Sequence, residues 1–300
     1  QVAALAVTQL NALGNNVSAL NGTQVAALST TQVKGLTADQ IKNLSTTDIG
    51  EFTTTQISAL TTAQLTALTA TNVSALADTQ VAALANTQIQ ALTSTQLKGL
   101  SVTDIDELSS TQIGALSALQ IGALATSQLQ ELSTTQVGGL TSTQISAISA
   151  TSVSQLSTTQ LAALNTTQVK ALTTAQLGAL NATNIGALAT TQLAVLATTQ
   201  VAALSAAGFS ALDATQVGAL ADTQIKALTT TQLKGLTTTD IGELATTQVA
   251  ALTTAQVAAL TTTAFSALDA TQVGSLTTTQ VKALTADQLK NLTTTDIGEL

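Results

Sequence analysis

The chain has 300 residues and contains no Cys, His, Pro, Met, Trp or Tyr, and only 3 Phe. Without Cys there is neither a disulfide framework nor a thiolate metal site. Without His or Cys, catalysis loses its commonest general base and a strong nucleophile. Its basic residues are 8 Lys with no Arg, against 16 acidic residues, which leaves a net charge of -8. Nucleic acid is gripped by basic stripes and aromatic stacking, and this composition supplies neither. Long apolar runs are missing too. Mean hydropathy is positive at +0.38, but Ala carries much of it. Thr, Ser, Gln or Asn interrupts well short of the ~18 apolar residues that a spanning helix needs.

What is present is one eight-residue phrase. Sites are named a to h, with a at residue numbers divisible by eight. From Asn16 to Leu300 site a carries Gln, or in most other cases Asn or Asp; site b carries Val, Ile, Leu or Phe, and site e Leu, Ile or Phe. There are 36 consecutive copies without an exception at b or e. The consensus is Gln, Val/Ile/Leu, a variable small residue or Lys, Ala, Leu, Thr/Ser, a variable residue, Thr. A fixed short period marks a quasi-one-dimensional repeat array rather than a globular domain.

Sites b and e are three apart, a helical neighbour spacing; on a strand they would face opposite sides. Ala, Leu and Gln are good helix formers. A single straight helix still fails, because eight residues at 3.6 per turn rotate the apolar stripe by roughly 80° per octad. Site f supplies a reset. Ser or Thr at f with Gln at the next a matches the capping box, in which the hydroxyl accepts the N3 N–H and the Gln side chain returns to the cap N–H. Of 35 f sites from Asn21 to Thr293, 23 are Ser or Thr, five are Asn or Asp, and seven are Ala, the first being Ala77 and Ala85. The Ala sites are expected to be weaker joints. Thr253 with Gln256 is a representative cap, and Gln248 is the same device one octad earlier.

Each octad therefore predicts about two turns of helix, from g to e, with a bend at Leu-Thr. Burying one b and one e side chain cannot offset the ordering of eight residues, so the octads must stack. The fold class expected is all-α: a continuous superhelical solenoid of very short helices, one per octad. Val25, Leu28, Val249, Leu252, Phe209 and Phe265 are representative core residues. A β-solenoid, using Thr, Val and Ile as strand residues, is the alternative.

A longer rhythm overlies the octad. Residues 201–244 and 257–300 match at 33 of 44 positions, an offset of seven octads. Phe209/Phe265, Asp213/Asp269, Lys234/Lys290 and Asp240/Asp296 recur at it, and the same spacing links Lys42 and Asp48 with Lys98 and Asp104. Segmental duplication explains the identity. A sharper reading is that seven octads make whole turns of the coil, such as two turns of three and a half. The array is read as one unit over 1–300, in strict register over 16–300. A one-residue phase break falls near 13–17, where Gly14-Asn15-Asn16 predicts a kink. The chain starts and stops in repeat register without polar caps, so an excerpt from a longer array is expected.

Charged residues give little chemistry. Lys occurs only at c, often one or two octads before an acidic segment. Lys42 precedes Asp48 and Glu51, Lys234 precedes Asp240 and Glu243, and Lys290 precedes Asp296. Ion pairing between adjacent helices is the reading, worth about 0–1 kcal/mol per pair. Calcium at Asp104, Asp106 and Glu107 lacks the spacing of known loops. The paired carboxylates recur in copies, unlike a catalytic site in a cleft. No enzyme activity, metal, cofactor or small-molecule substrate is expected.

The phrase Leu276-Thr-Thr-Thr-Gln-Val-Lys-Ala-Leu284 resembles the short Thr/Gln/Ala/Leu repeats of very large secreted or surface-attached bacterial proteins. The resemblance covers the whole chain by composition and transfers no residue-specific activity. It implies an extracellular or cell-surface fibre, filament or adhesin stalk that self-associates end to end or laterally. Two other readings stand beside it. Thr ranks at f, g and h resemble the ice-facing surfaces of antifreeze solenoids. A protein-binding scaffold would expose aromatics, yet Phe52, Phe209 and Phe265 all occupy b or e.

Overall fold

The computed structural model describes residues 1–299, leaving aside the side chains of Thr295, Asp296 and Glu299. The chain forms 36 α-helices of four to six residues, preceded or interrupted by two 3-10 segments, Val2–Ala4 and Gly14–Ala19. Strands are absent among the described residues. The fold is an all-helical repeat solenoid.

One octad shows why. Thr53 has extended backbone (φ -70°, ψ 158°), and its hydroxyl accepts the Gln56 N–H that starts the Thr54–Ala59 helix. The helix then runs from g to d. Leu60, at e, has already left it (φ -57°, ψ 137°), with its N–H donating to Ile57 O at 3.1 Å. Helices thus end at b, c or d rather than e, as in Asp222–Ile225, Thr46–Gly50 and Thr30–Gly35. Two successive extended residues, e and f, make the bend. The short i→i-3 bond from the e amide closes the last turn before the chain turns away.

The 36 helices fall into two compact units, Gln1–Ile148 and Ser149–Leu300. Within the first, the Ala38–Lys42 helix packs on Thr62–Ala67, the third helix on. Within the second, Thr230–Lys234 likewise packs on Thr254–Ala259. Hydrogen bonds from site a reach back 28 and 31 residues, into the fourth helix before it. One turn of each coil therefore takes between three and four octads, with site a lying over the preceding turn's e, 28 residues back. Two such turns span seven octads, so like sites lie over like sites at the long sequence period. Phe209 and Phe265 stand in this relation in the second unit, Asp48 and Asp104 in the first.

The b and e side chains fill the coil interior. Val25, Leu28, Val249, Leu252, Phe209 and Phe265 are all buried. Neighbouring turns touch closely where the residues are small. A Cβ on Gly122 would lie 2.6 Å from Ala147 O in the next turn. Gly14, at the phase break, has φ 54° and is the one residue with positive φ among those described. It supplies the predicted kink.

Two substitutions and a third as control test these contacts. Gly14→Ala places a Cβ in the left-handed region, at a cost of about 1–2 kcal/mol. Gly122→Ala drives a methyl into a carbonyl of the next turn, at a cost of about 1–3 kcal/mol. Gly218→Ala, in a helix with open space around it, is expected to stabilise by about 0.5–1 kcal/mol. Chemical denaturation of the three variants, with local hydrogen exchange, measures each.

Candidate functional site: the glutamine ladder

The Gln at site a is buried in nearly every octad, and its amide binds three backbone groups on two segments. In Gln56 the Oε1 accepts the Thr53 N–H at 2.9 Å, completing the capping box. Its Nε2 donates to Val25 O at 2.7 Å and Leu28 O at 2.9 Å, one turn earlier. Val25 O, at the end of the Gly22–Ala26 helix, already accepts the Leu28 N–H, and Leu28 O lies just past that helix, where C=O groups lack intrahelical partners. One side chain thus caps the start of its own helix and the end of another. The pattern recurs at Gln64, Gln96, Gln192, Gln232 and Gln288.

Thr253 caps the Thr254–Ala259 helix, accepting from Gln256 N at 3.2 Å and donating its own N–H to Gln256 Oε1 at 2.7 Å. Gln256 Nε2 reaches Leu228 O at 2.8 Å, and Gln248 Nε2 reaches Val217 O at 2.8 Å and Leu220 O at 2.9 Å. Sequence reasoning assigned Gln to the cap alone. It missed the second role, although burial of a polar residue was signalled by its place beside b in every octad.

Departures from Gln show what the amide length does. Asn72 and Asn184 are one methylene shorter. Each still donates to a carbonyl 28 residues back, Leu44 O at 2.8 Å and Leu156 O at 3.3 Å. The Asn184 Oδ1, however, is buried without a partner, because it falls short of the cap N–H. Gly208 and Ala264 replace Gln where the next residue is Phe209 or Phe265; the smaller a residue offsets the larger ring in the coil interior. At Ala caps the cap N–H still bonds Gln, as Ala77 N to Gln80 Oε1 at 2.7 Å. The N3 amide there turns to the Ala77 carbonyl at 2.7 Å, since no hydroxyl is available.

Acidic segments replace the amide with a carboxylate. Asp48 and Asp240 are buried and accept the cap N–H of Ser45 and Thr237 at 2.7 and 2.6 Å. Lys42 and Lys234 at c face solvent, so the structure does not bring these Lys and Asp together. The ion pair formed among the described residues is Lys290 Nζ to Asp287 Oδ1 at 3.5 Å, within one exposed helix. Asp296 and its pairing lie outside the described side chains. Glu51 and Glu243 at d each hold a buried Oε2 without a hydrogen-bond partner. Burial, then Asp240 and Asp213, push the Glu243 carboxyl above the ordinary glutamate range. Asp269 goes the other way, held down by hydrogen bonds from the Thr271 hydroxyl and the Gln272 N–H.

Nothing in this arrangement gathers reactive groups. Among the described residues no three His, Cys, Asp or Glu side chains are placed to hold a metal. Surface grooves are lined by groups such as Thr46, Ala70, Thr71 and Gly99, or Thr262, Thr263, Ser266 and Asn291. The chemistry on offer is turn-to-turn cohesion.

Four stretches, residues 16–46, 81–118, 153–190 and 222–254, match the family model described as the ALTTAQ repeat. This is a tandem-repeat protein. No curated protein matches the chain. Each ALTTAQ-type match begins and ends within the octad register, and the Gln of that phrase is the residue that carries the ladder. No helix among the described residues is long and apolar enough to cross a membrane.

Three measurements test the ladder. Gln232→Met keeps the volume but strips Leu204 O of its donor and Thr229 N–H of its acceptor, and leaves Val201 O with the Leu204 N–H alone. Each lost partner costs about 1–3 kcal/mol, read as early local melting by hydrogen exchange. Ala245→Ser gives the Gln248 amide its missing acceptor and should stabilise by about 0.5–2 kcal/mol, read as a higher denaturation midpoint. The third concerns pH. The fold binds the Glu243 proton more tightly than the unfolded chain does, so stability falls as pH rises from the ordinary glutamate range through the raised folded value. Glu243→Gln should remove that part of the pH profile and leave the Asp269 contribution, which is lost as pH falls through its lowered value.

Proposed function

We propose that this chain is a structural element, an extracellular or cell-surface fibre, stalk or spacer of set length. The observation that supports the reading is the ladder itself. Each turn presents its b and e carbonyls, and the next turn's Gln amides cover them, with no octad reserved for a pocket. Such a joint can be added any number of times, so its natural output is length. Repeat arrays with nearest-neighbour cohesion behave in this way. Self-association end to end or side by side extends the same logic, and the charge of -8 keeps separate arrays soluble. The lack of His and Cys, and the scarcity of basic and aromatic residues, favour this reading over catalysis and nucleic-acid binding.

The exposed Thr at g and h, as at Thr54 and Thr55, supports ice binding as a second reading. Thermal hysteresis in the purified protein favours it, and its absence favours the structural reading.

Length is the direct test. Deleting residues 201–256 joins Gln200 to Val257 in register and removes seven octads, two coil turns. With helix layers about 8–10 Å thick, the particle should shorten by roughly 20 Å and stay helical. Electron microscopy and solution scattering read the length. A particle that unfolds or keeps its length would sink the spacer reading.

A further inference from the structure

We propose that Asp240 and Ser210 form a second type of turn-to-turn joint, one that opens more readily than the joints built on Gln at site a. The inference concerns cohesion within the coil and does not rest on the spacer role. Four octads carry Asp at a: Asp48, Asp104, Asp240 and Asp296. Thirty residues before each stands Ser: Ser18, Ser74, Ser210 and Ser266. Within the strict register the same place before Gln holds Ala, Gly, Lys, Gln, Asp, Thr or Ser, so the restriction goes with the carboxylate. In the second unit Ser210 Oγ donates to Asp240 Oδ2 at 2.5 Å across one turn of the coil, whereas Ser266 Oγ donates to Asn291 O at 3.3 Å.

A carboxylate accepts but has no N–H to give. It therefore cannot cover the Phe209 and Leu212 carbonyls, the atoms that a Gln at this site would reach 31 and 28 residues back. The direction of the bond reverses: the earlier turn donates through Ser210 and the later turn accepts. One bond replaces the two that Gln232 makes to Val201 and Leu204. Like charge adds to the deficit. Glu243 lies beside Asp240 and Asp213, its Oε2 buried and without a hydrogen-bond partner. The Asp48 joint carries the same buried, unpartnered Oε2 on Glu51. There the Ser18 hydroxyl is turned to Asn15 O at 3.0 Å, so that joint is held by fewer cross-turn bonds still.

The test is hydrogen exchange followed by mass spectrometry on the full chain at neutral pH. Segment 237–244 carries the Asp240 joint and 221–228 the Gln224 joint, whose amide reaches Leu193 O and Leu196 O. The Asp240 segment should exchange about tenfold faster, as expected when one hydrogen bond fewer holds a local opening closed. Asp240→Gln should bring it to the Gln224 rate. Ser210→Ala should speed exchange further in the natural chain and do nothing in the Asp240→Gln background. Equal exchange at the two joints, or an equal effect of Ser210→Ala in both backgrounds, would overturn the proposal.

Discussion

Each coil depends on a buried primary amide with three hydrogen-bonding partners. A helix of five or six residues leaves most of its backbone N–H and C=O groups without intrahelical partners. An array of 36 such helices would be ruinous if each end had to be solvated while packed against its neighbours. The Gln side chain resolves this by reaching both ways. Its oxygen takes the cap N–H of its own helix, and its nitrogen covers two carbonyls one turn back. Apolar burial supplies the cohesion, but the amide sets the distance and register at which the burial happens.

That same bond explains the two periods in the chain. Eight residues is the length of one helix plus one bend. The amide's reach to a carbonyl 28 residues back fixes three and a half octads to the turn. Because half an octad is left over, site a lies over e after one turn and over a only after two. The seven-octad recurrence of Phe, Lys and Asp then has a geometric meaning within each unit, whatever its genetic origin. The paired substitutions follow from it as well: Phe with a small preceding residue, and Asp with Ser one turn back.

Much of this was legible in the residues. The three-residue b-to-e spacing pointed to helix, and the rotation of a straight helix required a break in every octad. The Thr-x-x-Gln phrase located that break, and Thr253 with Gln256 caps where expected. The kink at Gly14 followed from a spacing one residue short and a residue free to adopt positive φ. Other features were not legible. The helix loses its last residue because the e amide bonds three back instead of four, a choice made by the turn that follows. Lys42 and Lys234 do not meet Asp48 and Asp240, because c points out while a points in.

The sequence by itself determined the local code: helix type, cap chemistry, the bend and the identity of the buried residues. These depend on contacts within eight residues, which the chain spells out in full. Only the tertiary structure decided where the second half of each Gln amide goes, how many octads make a turn, and which carboxylates are left facing each other. Those outcomes join groups about 28 to 31 residues apart. A pattern repeated every eight residues looks the same at each copy, so it cannot say which distant copy is the neighbour.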